Sequence, residues 1–74
     1  MAIQIVMDRS GDTRHLFDGE DPAAVALAED RFHRLTSKGF RAIALSKDGE
    51  PGRLLRNFDA QVAQTLFIPR LEGG

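Results

Sequence analysis

The stretch Thr65-Leu66-Phe67-Ile68-Pro69 decides the fold that we expect for this chain. Its β-branched and aromatic residues are typical of a β-strand, and Pro69 ends the strand because proline cannot donate a backbone hydrogen bond. The last five residues of the sequence, 70–74, follow directly. A strand at the edge of a sheet would hold this last segment only weakly. We therefore expect Thr65–Ile68 to lie at the centre of a sheet.

The sequence ends in two glycines, Gly73 and Gly74. Because glycine has no Cβ, a diglycine end is the thinnest polypeptide that can present a carboxylate inside a slot of another protein. The plainer alternative is a frayed terminus, since terminal residues are often small. The strand and the proline that precede the glycines favour the first interpretation.

The N-terminal residues predict a β-hairpin. Residues 2–8 alternate, with Ile3, Ile5 and Met7 on one face of a half-buried strand. Gly11 lies in a turn, and residues 13–18 return as a second strand. Phe17 is expected to face the core, with His15 on the same face near its rim.

One helix follows the hairpin. Asp21 is the expected N-cap, Pro22 occupies the first helical position, and Gly39 ends the helix. The apolar stripe consists of Val25, Ala28, Phe32 and Leu35, with Leu27 at its border.

The second half of the chain predicts strands separated by turns. Residues 40–46 form a strand with Ile43 and Leu45 facing inward, which leaves Ala42 and Ala44 on its exposed face. Residues 47–52 are a polar turn, residues 54–55 a short strand, and residues 57–64 a loop anchored by Phe58.

This element order predicts an α+β fold. A single helix must cover one face of a mixed four- to five-stranded sheet, and the economical arrangement places the first and last strands parallel and adjacent at its centre. That arrangement is the β-grasp. We expect residues 1–69 to form this domain and residues 70–74 to form a C-terminal diglycine tail.

Composition excludes several functions. The 74 residues contain no cysteine, which removes thiol catalysis and thiolate zinc sites and indicates a reducing, cytoplasmic setting. No apolar run approaches a membrane span, and a net charge of −1 without a basic stripe argues against nucleic acid as the partner. We expect no catalytic constellation, metal or cofactor, because His15 and His33 lack ligand spacing.

The chain resembles ubiquitin and its relatives along its whole length. The resemblance is closest where the aromatic Phe58 is followed by six residues and then by Thr65 and Leu66, and where the sequence ends in the diglycine. Glu72 stands where ubiquitin carries arginine, and Ala42 and Ala44 replace a large aliphatic patch. With its small size and mature diglycine, the chain looks most like the ubiquitin-like modifiers of bacterial ubiquitination-like operons.

The resemblance implies a role as a substrate and not as an enzyme. An activating enzyme would adenylate Gly74, and a conjugating enzyme and a JAB-type peptidase would act on the product; the target protein is unknown. Gly73 and Gly74 would be the conjugation site, and the tail that contacts partners would be Pro69, Arg70, Leu71 and Glu72.

A second resemblance remains open. The ending from Ile68 to Gly74 also looks like the tail of the small subunit of molybdopterin synthase, in which a proline-containing linker precedes the diglycine. That family and the thiamine sulfur carrier would carry sulfur as a thiocarboxylate on the last glycine. A third interpretation is a β-grasp interaction domain whose diglycine is incidental.

Overall fold

A computed structural model describes residues 1–46 and 48–70 of the chain. Its elements are β1 (Ala2–Asp8), β2 (Gly11–Phe17), α1 (Pro22–Ser37), β3 (Arg41–Leu45), β4 (Pro51–Leu55) and β5 (Gln64–Ile68). The strands form one sheet in the order β2-β1-β5-β3-β4. The chain is a small α+β domain with a mixed five-stranded sheet and one helix, an architecture compatible with a β-grasp.

The last strand occupies the centre of the sheet, as its sequence predicts. β5 pairs in parallel with β1, from Ile3 opposite Gln64 to Val6 opposite Phe67, and antiparallel with β3. The first and last strands are therefore parallel neighbours. Parallel strands need a crossover connection, and α1 lies within the segment that makes it.

The helix begins and packs as its sequence pattern predicts. The Asp21 side chain accepts a hydrogen bond of 3.0 Å from the Ala23 N–H, and Pro22 follows the cap. Ala28 and Phe32 are buried, and the two other stripe residues pack partly buried against the core. Leu27, which was placed at the border of the stripe, is 65% exposed.

Aromatic rings fill the space between the helix and the sheet. Phe32 is 1% exposed, and its ring makes edge-on contacts with Phe58, at a centroid distance of 6.0 Å, and with Phe67, at 5.7 Å. Phe17 contacts Phe58 at 6.2 Å. These four rings join the loop before β5 to the helix, so Phe58 acts as the anchor that the sequence predicts.

The alternation of Ile3, Ile5 and Met7 is present in β1, but these residues do not form its buried face. Ala2, Gln4 and Val6 are the buried residues of this strand, whereas Ile3 and Ile5 are only partly buried and Met7 is exposed. Because side chains alternate across a strand, the isoleucines lie on the sheet face away from the helix. The aromatic rings leave little room above β1, and small or slender side chains fit there.

The predicted inward face of β3 is wrong. Ala42 is 1% exposed and Ala44 packs against the core, so Ile43 and Leu45 lie on the opposite face. The expectation that the alanines occupy the exposed face is therefore wrong. The methyl side chains of β3 leave room for Phe32 and Phe67, which supply the volume that the alanines lack.

The polar turn before β4 is shorter than its sequence predicts. β4 begins at Pro51, and it is an edge strand. Proline has no backbone N–H, and an edge strand tolerates this because it has no neighbouring strand on its outer side. At Gly52 a Cβ would lie 2.7 Å from the Ala44 carbonyl oxygen, so only glycine fits this close approach. The pairing of β3 with β4 is irregular between Ile43 and Leu45, beside this contact.

We predict that Phe32→Ala destabilises the protein by about 3–5 kcal/mol, because the change removes a fully buried ring and leaves a cavity among three others. Urea denaturation followed by circular dichroism measures this loss. Leu27→Ala on the same helix is the matched control and should change stability by less than about 0.5 kcal/mol. Equal effects of the two substitutions would contradict the assignment of the core.

Candidate functional site

The C-terminal segment leaves the sheet from its middle. β5 has hydrogen-bonded neighbours on both sides, and its final residue, Ile68, lies opposite Arg41 of β3. Pro69 and Arg70 follow, both exposed. A strand that is paired on both edges resists fraying more than an edge strand, so residue 70 starts from a fixed position.

Arg70 lies over the end of the helix. A Cβ built on Gly39 would lie 3.6 Å from the Arg70 Cβ and 3.7 Å from its Cδ. Gly39 has φ +97°, and its N–H donates to the Thr36 carbonyl at 3.0 Å. It is thus the glycine expected just after the helix C-cap, Lys38. The helix end and the start of the tail therefore form one surface.

An open cleft of about 790 Å³ surrounds the exit of the tail. We call it the exit cleft; its lining residues are Asp8, Arg9, Ser37, Lys38, Gly39, Phe40, Pro69 and Arg70. Three cations and one carboxylate line it, so its charge is positive although the chain as a whole carries −1. This potential favours a partner whose contact surface is acidic.

The single carboxylate of the exit cleft is held ionised by the hairpin turn. The Asp8 side chain accepts hydrogen bonds from the Ser10 N–H, at 2.8 Å, and from the Ser10 hydroxyl. The hydroxyl bond first, and then the backbone bond, lowers the pKa of Asp8 below its usual value. Asp8 therefore serves as an acceptor that shapes the turn, with no sign of a proton-transfer role.

The sheet face away from the helix is largely aliphatic. We call it the outer sheet face; its apolar residues are Ile3, Ile5, Met7, Leu16, Ile43, Leu45, Leu54, Leu66 and Ile68. Leu16 is 69% exposed and Leu54 55% exposed. The expectation that the chain lacks a large aliphatic patch is therefore wrong. That expectation depended on the prediction that Ala42 and Ala44 lie on the exposed face of β3. Exposed apolar patches of this kind are typical of protein-binding surfaces.

Of the six predicted tail residues, two lie in the part of the chain that the structure describes. Pro69 and Arg70 line the exit cleft. The remaining predicted residues, Leu71, Glu72, Gly73 and Gly74, lie outside the described residues. Sequence reasoning missed Arg9 and Lys38 as neighbours of the tail, because only the folded chain brings the hairpin turn and the helix end beside Pro69.

The two histidines lie apart from the exit cleft. His15 is half-buried beneath the helix, and His33 is exposed with its Nε2 3.9 Å from a Glu29 carboxylate oxygen. Over residues 1–46 and 48–70, no three histidine, aspartate or glutamate side chains gather in a way that could hold a metal ion. In the same residues, no helix has the length and apolarity needed to cross a membrane.

Comparison of the chain with protein-family models, with curated proteins and with solved structures found no match. The fold defines a small α+β domain with one helix and a mixed five-stranded sheet, in which β5 lies at the centre. A more specific function rests on the residues and the geometry described above.

We predict that Gly39→Ala lowers stability by about 1–2 kcal/mol, because a residue with a Cβ must adopt a positive φ there. The Arg70 contact leaves ordinary room for the added methyl, so backbone strain is the dominant cost. Thermal unfolding of the two proteins measures the difference. Gly39→Asn should lose less, since asparagine tolerates this region better; an alanine variant as stable as the wild type would exclude the strain.

Proposed function

We propose that this chain is a ubiquitin-like β-grasp modifier whose C-terminal Gly74 is adenylated by an activating enzyme and conjugated to target proteins. The observation that supports the proposal is the central position of β5, which Pro69 and Arg70 follow directly. In the sequence, Gly73 and Gly74 come three and four residues after Arg70. In this role the protein is a substrate of other enzymes and works in the cytoplasm. Its direct partners are the activating enzyme, a conjugating enzyme and a JAB-type peptidase.

The chemistry requires activation because a carboxylate is a poor electrophile. A Gly74 carboxylate oxygen attacks the α-phosphorus of ATP, and pyrophosphate leaves. A cysteine thiolate of the partner then attacks the acyl carbon, and AMP leaves. Finally an amine of the target displaces the thiolate and loses a proton, which forms an amide. Every one of these groups except the Gly74 carboxylate belongs to a partner or to ATP.

The tail has the reach that this chemistry needs. Residues 70–74 span at most about 17 Å when extended, enough to enter a buried nucleotide site while the folded body stays outside. Gly73 supplies clearance next to the reacting carboxylate, because it has no Cβ. Pro69 restricts the backbone where the tail leaves the sheet.

Two surfaces support docking of an activating or conjugating enzyme. The outer sheet face offers exposed aliphatic side chains, and the exit cleft offers cations beside the base of the tail. A partner that covers both would contact the body and the tail at once. Apolar contact supplies affinity, and the charges of Arg9, Lys38 and Arg70 fix the orientation.

We predict that removal of Gly74 abolishes conjugates and leaves the fold intact, because the glycine supplies the reacting carboxylate and follows the last strand. Cells that carry the native enzymes are compared by immunoblot for high-mass conjugates of wild type and variant, with circular dichroism to check folding. Gln61→Ala, an exposed change at the opposite end of β5, is the control and should conjugate normally. Undiminished conjugates of the truncated chain would reject the proposal.

We predict that mass spectrometry of tryptic digests from the native cells finds target lysines that carry Leu-Glu-Gly-Gly, because trypsin cleaves after Arg70. The intact mass of the free protein is the second readout. A dominant thiocarboxylate, seen as replacement of one oxygen by sulfur, without any Leu-Glu-Gly-Gly remnant, would overturn conjugation in favour of the sulfur carrier. If the protein carries neither modification, the result would indicate an interaction domain whose diglycine is incidental.

A further inference from the structure

A second cleft, of about 340 Å³, lies between strand β2 and the helix, and we call it the β2–helix cleft. Its lining includes His15 from β2 and three cations of the helix, Arg31, Arg34 and Lys38. None of the residues that line it in the described part of the chain carries a carboxylate. Histidine is the side chain whose charge ordinarily changes between pH 5 and 8, so a proton on His15 would add a fourth positive charge to this cleft.

A buried amide links the strand to the first of these cations. Gln4 lies directly opposite His15 in the pairing of β1 with β2, and it is 1% exposed. The Arg31 Nη1 donates to the Gln4 Oε1 at 2.8 Å, and the Gln4 Nε2 donates to the Ala28 carbonyl at 2.9 Å. The amide therefore orients the Arg31 guanidinium beside His15. Because the amide is neutral, it leaves the charge of Arg31 uncancelled.

The two strands of the hairpin bring no balancing charge to His15. On β1, Gln4 is the residue opposite, and the one carboxylate of that strand, Asp8, lies four residues further along and is held by the hairpin turn. On β2, Asp12 and Arg14 have their side chains on the outer sheet face, because side chains alternate along a strand. The charges that His15 meets are therefore those of the helix.

The helix faces His15 with an excess of cations. The Arg34 Nε lies 2.9 Å from an Asp30 carboxylate oxygen, so this carboxylate already balances one of them. Within residues 1–46 and 48–70, neither Arg31 nor Lys38 has an ion-pair partner. A charged ring at His15 would therefore lie beside two cations that no carboxylate balances.

The surroundings of His15 favour its neutral form. Burial is the larger cause and the charge of Arg31 the smaller one, and both lower the pKa of His15 below the ordinary value of about 6.5. The unfolded chain keeps the ordinary value and thus binds more protons than the folded chain below that pH. The stability that neutral His15 contributes is fully present above about pH 6.5, and it is lost as the pH falls from there through the lower pKa of the folded chain.

We infer that His15, Gln4 and Arg31 form a proton-sensitive joint between the hairpin and the helix, which is closed at neutral pH and loosens in mild acid. A proton on the His15 ring repels the Arg31 guanidinium. The guanidinium relieves this repulsion by turning into the open cleft, and the buried Gln4 Oε1 then loses its donor. An unpaired buried acceptor is costly, so the contact between β2 and the helix weakens. The joint makes no use of Gly74 and does not depend on conjugation.

The first test follows the joint in the full-length, ¹⁵N-labelled wild-type protein by NMR between pH 8 and pH 5. We expect the His15 ring to titrate at a lower pH than the same ring in a peptide of residues 13–17. The side-chain amide signals of Gln4 should shift with the same midpoint, because the hydrogen bond from Arg31 is lost as the ring is charged. A His15 midpoint equal to that of the peptide would overturn the inference, as would Gln4 signals that stay constant while His15 titrates.

The second test compares the two histidines of the chain by urea denaturation at pH 7.5 and pH 5. The folding equilibrium constant of the wild type should fall severalfold between these pH values, with uptake of at most one proton on unfolding. His15→Gln should lose most of this fall. His33→Gln is the matched control and should keep it, since His33 is exposed and lies beside Glu29. The same pH dependence in wild type and His15→Gln would refute the joint.

A third test removes the charge that faces the ring. Arg31→Gln should raise the midpoint of His15 part of the way toward that of the peptide, because the burial of the ring remains. Arg56→Gln, an exposed change next to β4 with the same change in net charge, should leave the midpoint where it is in the wild type. Equal shifts in the two variants would show a general charge effect and contradict the joint. If Arg31→Gln does not fold, the Gln4 signals of the wild type decide the coupling.

Discussion

The parallel pairing of β1 with β5 is the constraint on which the rest of the structure depends. These strands come from opposite ends of the chain, and their pairing runs from Ile3 opposite Gln64 to Val6 opposite Phe67. Parallel neighbours cannot be joined by a tight turn, so the intervening chain must cross over, and α1 covers the sheet as it does so. β3 then closes the other side of β5. The central exit of the tail, the exit cleft and the burial of Phe67 are all consequences of this pairing.

Sequence patterns predicted which elements form, but not which faces they bury. The helix stripe, its caps, the hairpin and the central last strand are confirmed, because these depend on local signals and on the number of elements. The inward face predicted for β3 was wrong, and the apolar alternation of β1 did not mark its buried face. In both strands the apolar pattern favours burial of isoleucine, whereas alanine or glutamine is buried. The volume of four phenylalanine rings decides which face of each strand is buried. That volume depends on how α1, the Phe58 loop and β5 pack together, which no single segment of sequence shows.

Those parts of the candidate site that are marked by neighbouring residues in the sequence could be predicted. Pro69 was placed correctly at the end of the last strand, and Gly39 at the end of the helix. The contact between Gly39 and Arg70, and the gathering of cations around it, could not be predicted, since no local pattern relates a helix end to a tail. Gln4 is a similar case: a polar residue in an alternating strand is ordinarily assigned to solvent, and only the facing Ala28 carbonyl and Arg31 explain its burial.

The burial of Phe67 couples folding to the synthesis of β5. Its ring is fully enclosed, and it is supplied by a strand that follows β1 to β4 in the chain. β1 therefore lacks this neighbour until β5 has been made, and a chain interrupted before residue 67 lacks both that neighbour and a major part of its core. Such fragments remain open to proteolysis. The order of synthesis thus acts as a quality check, since a molecule that reaches its compact state has already acquired β5 and the place where Pro69 leaves the sheet.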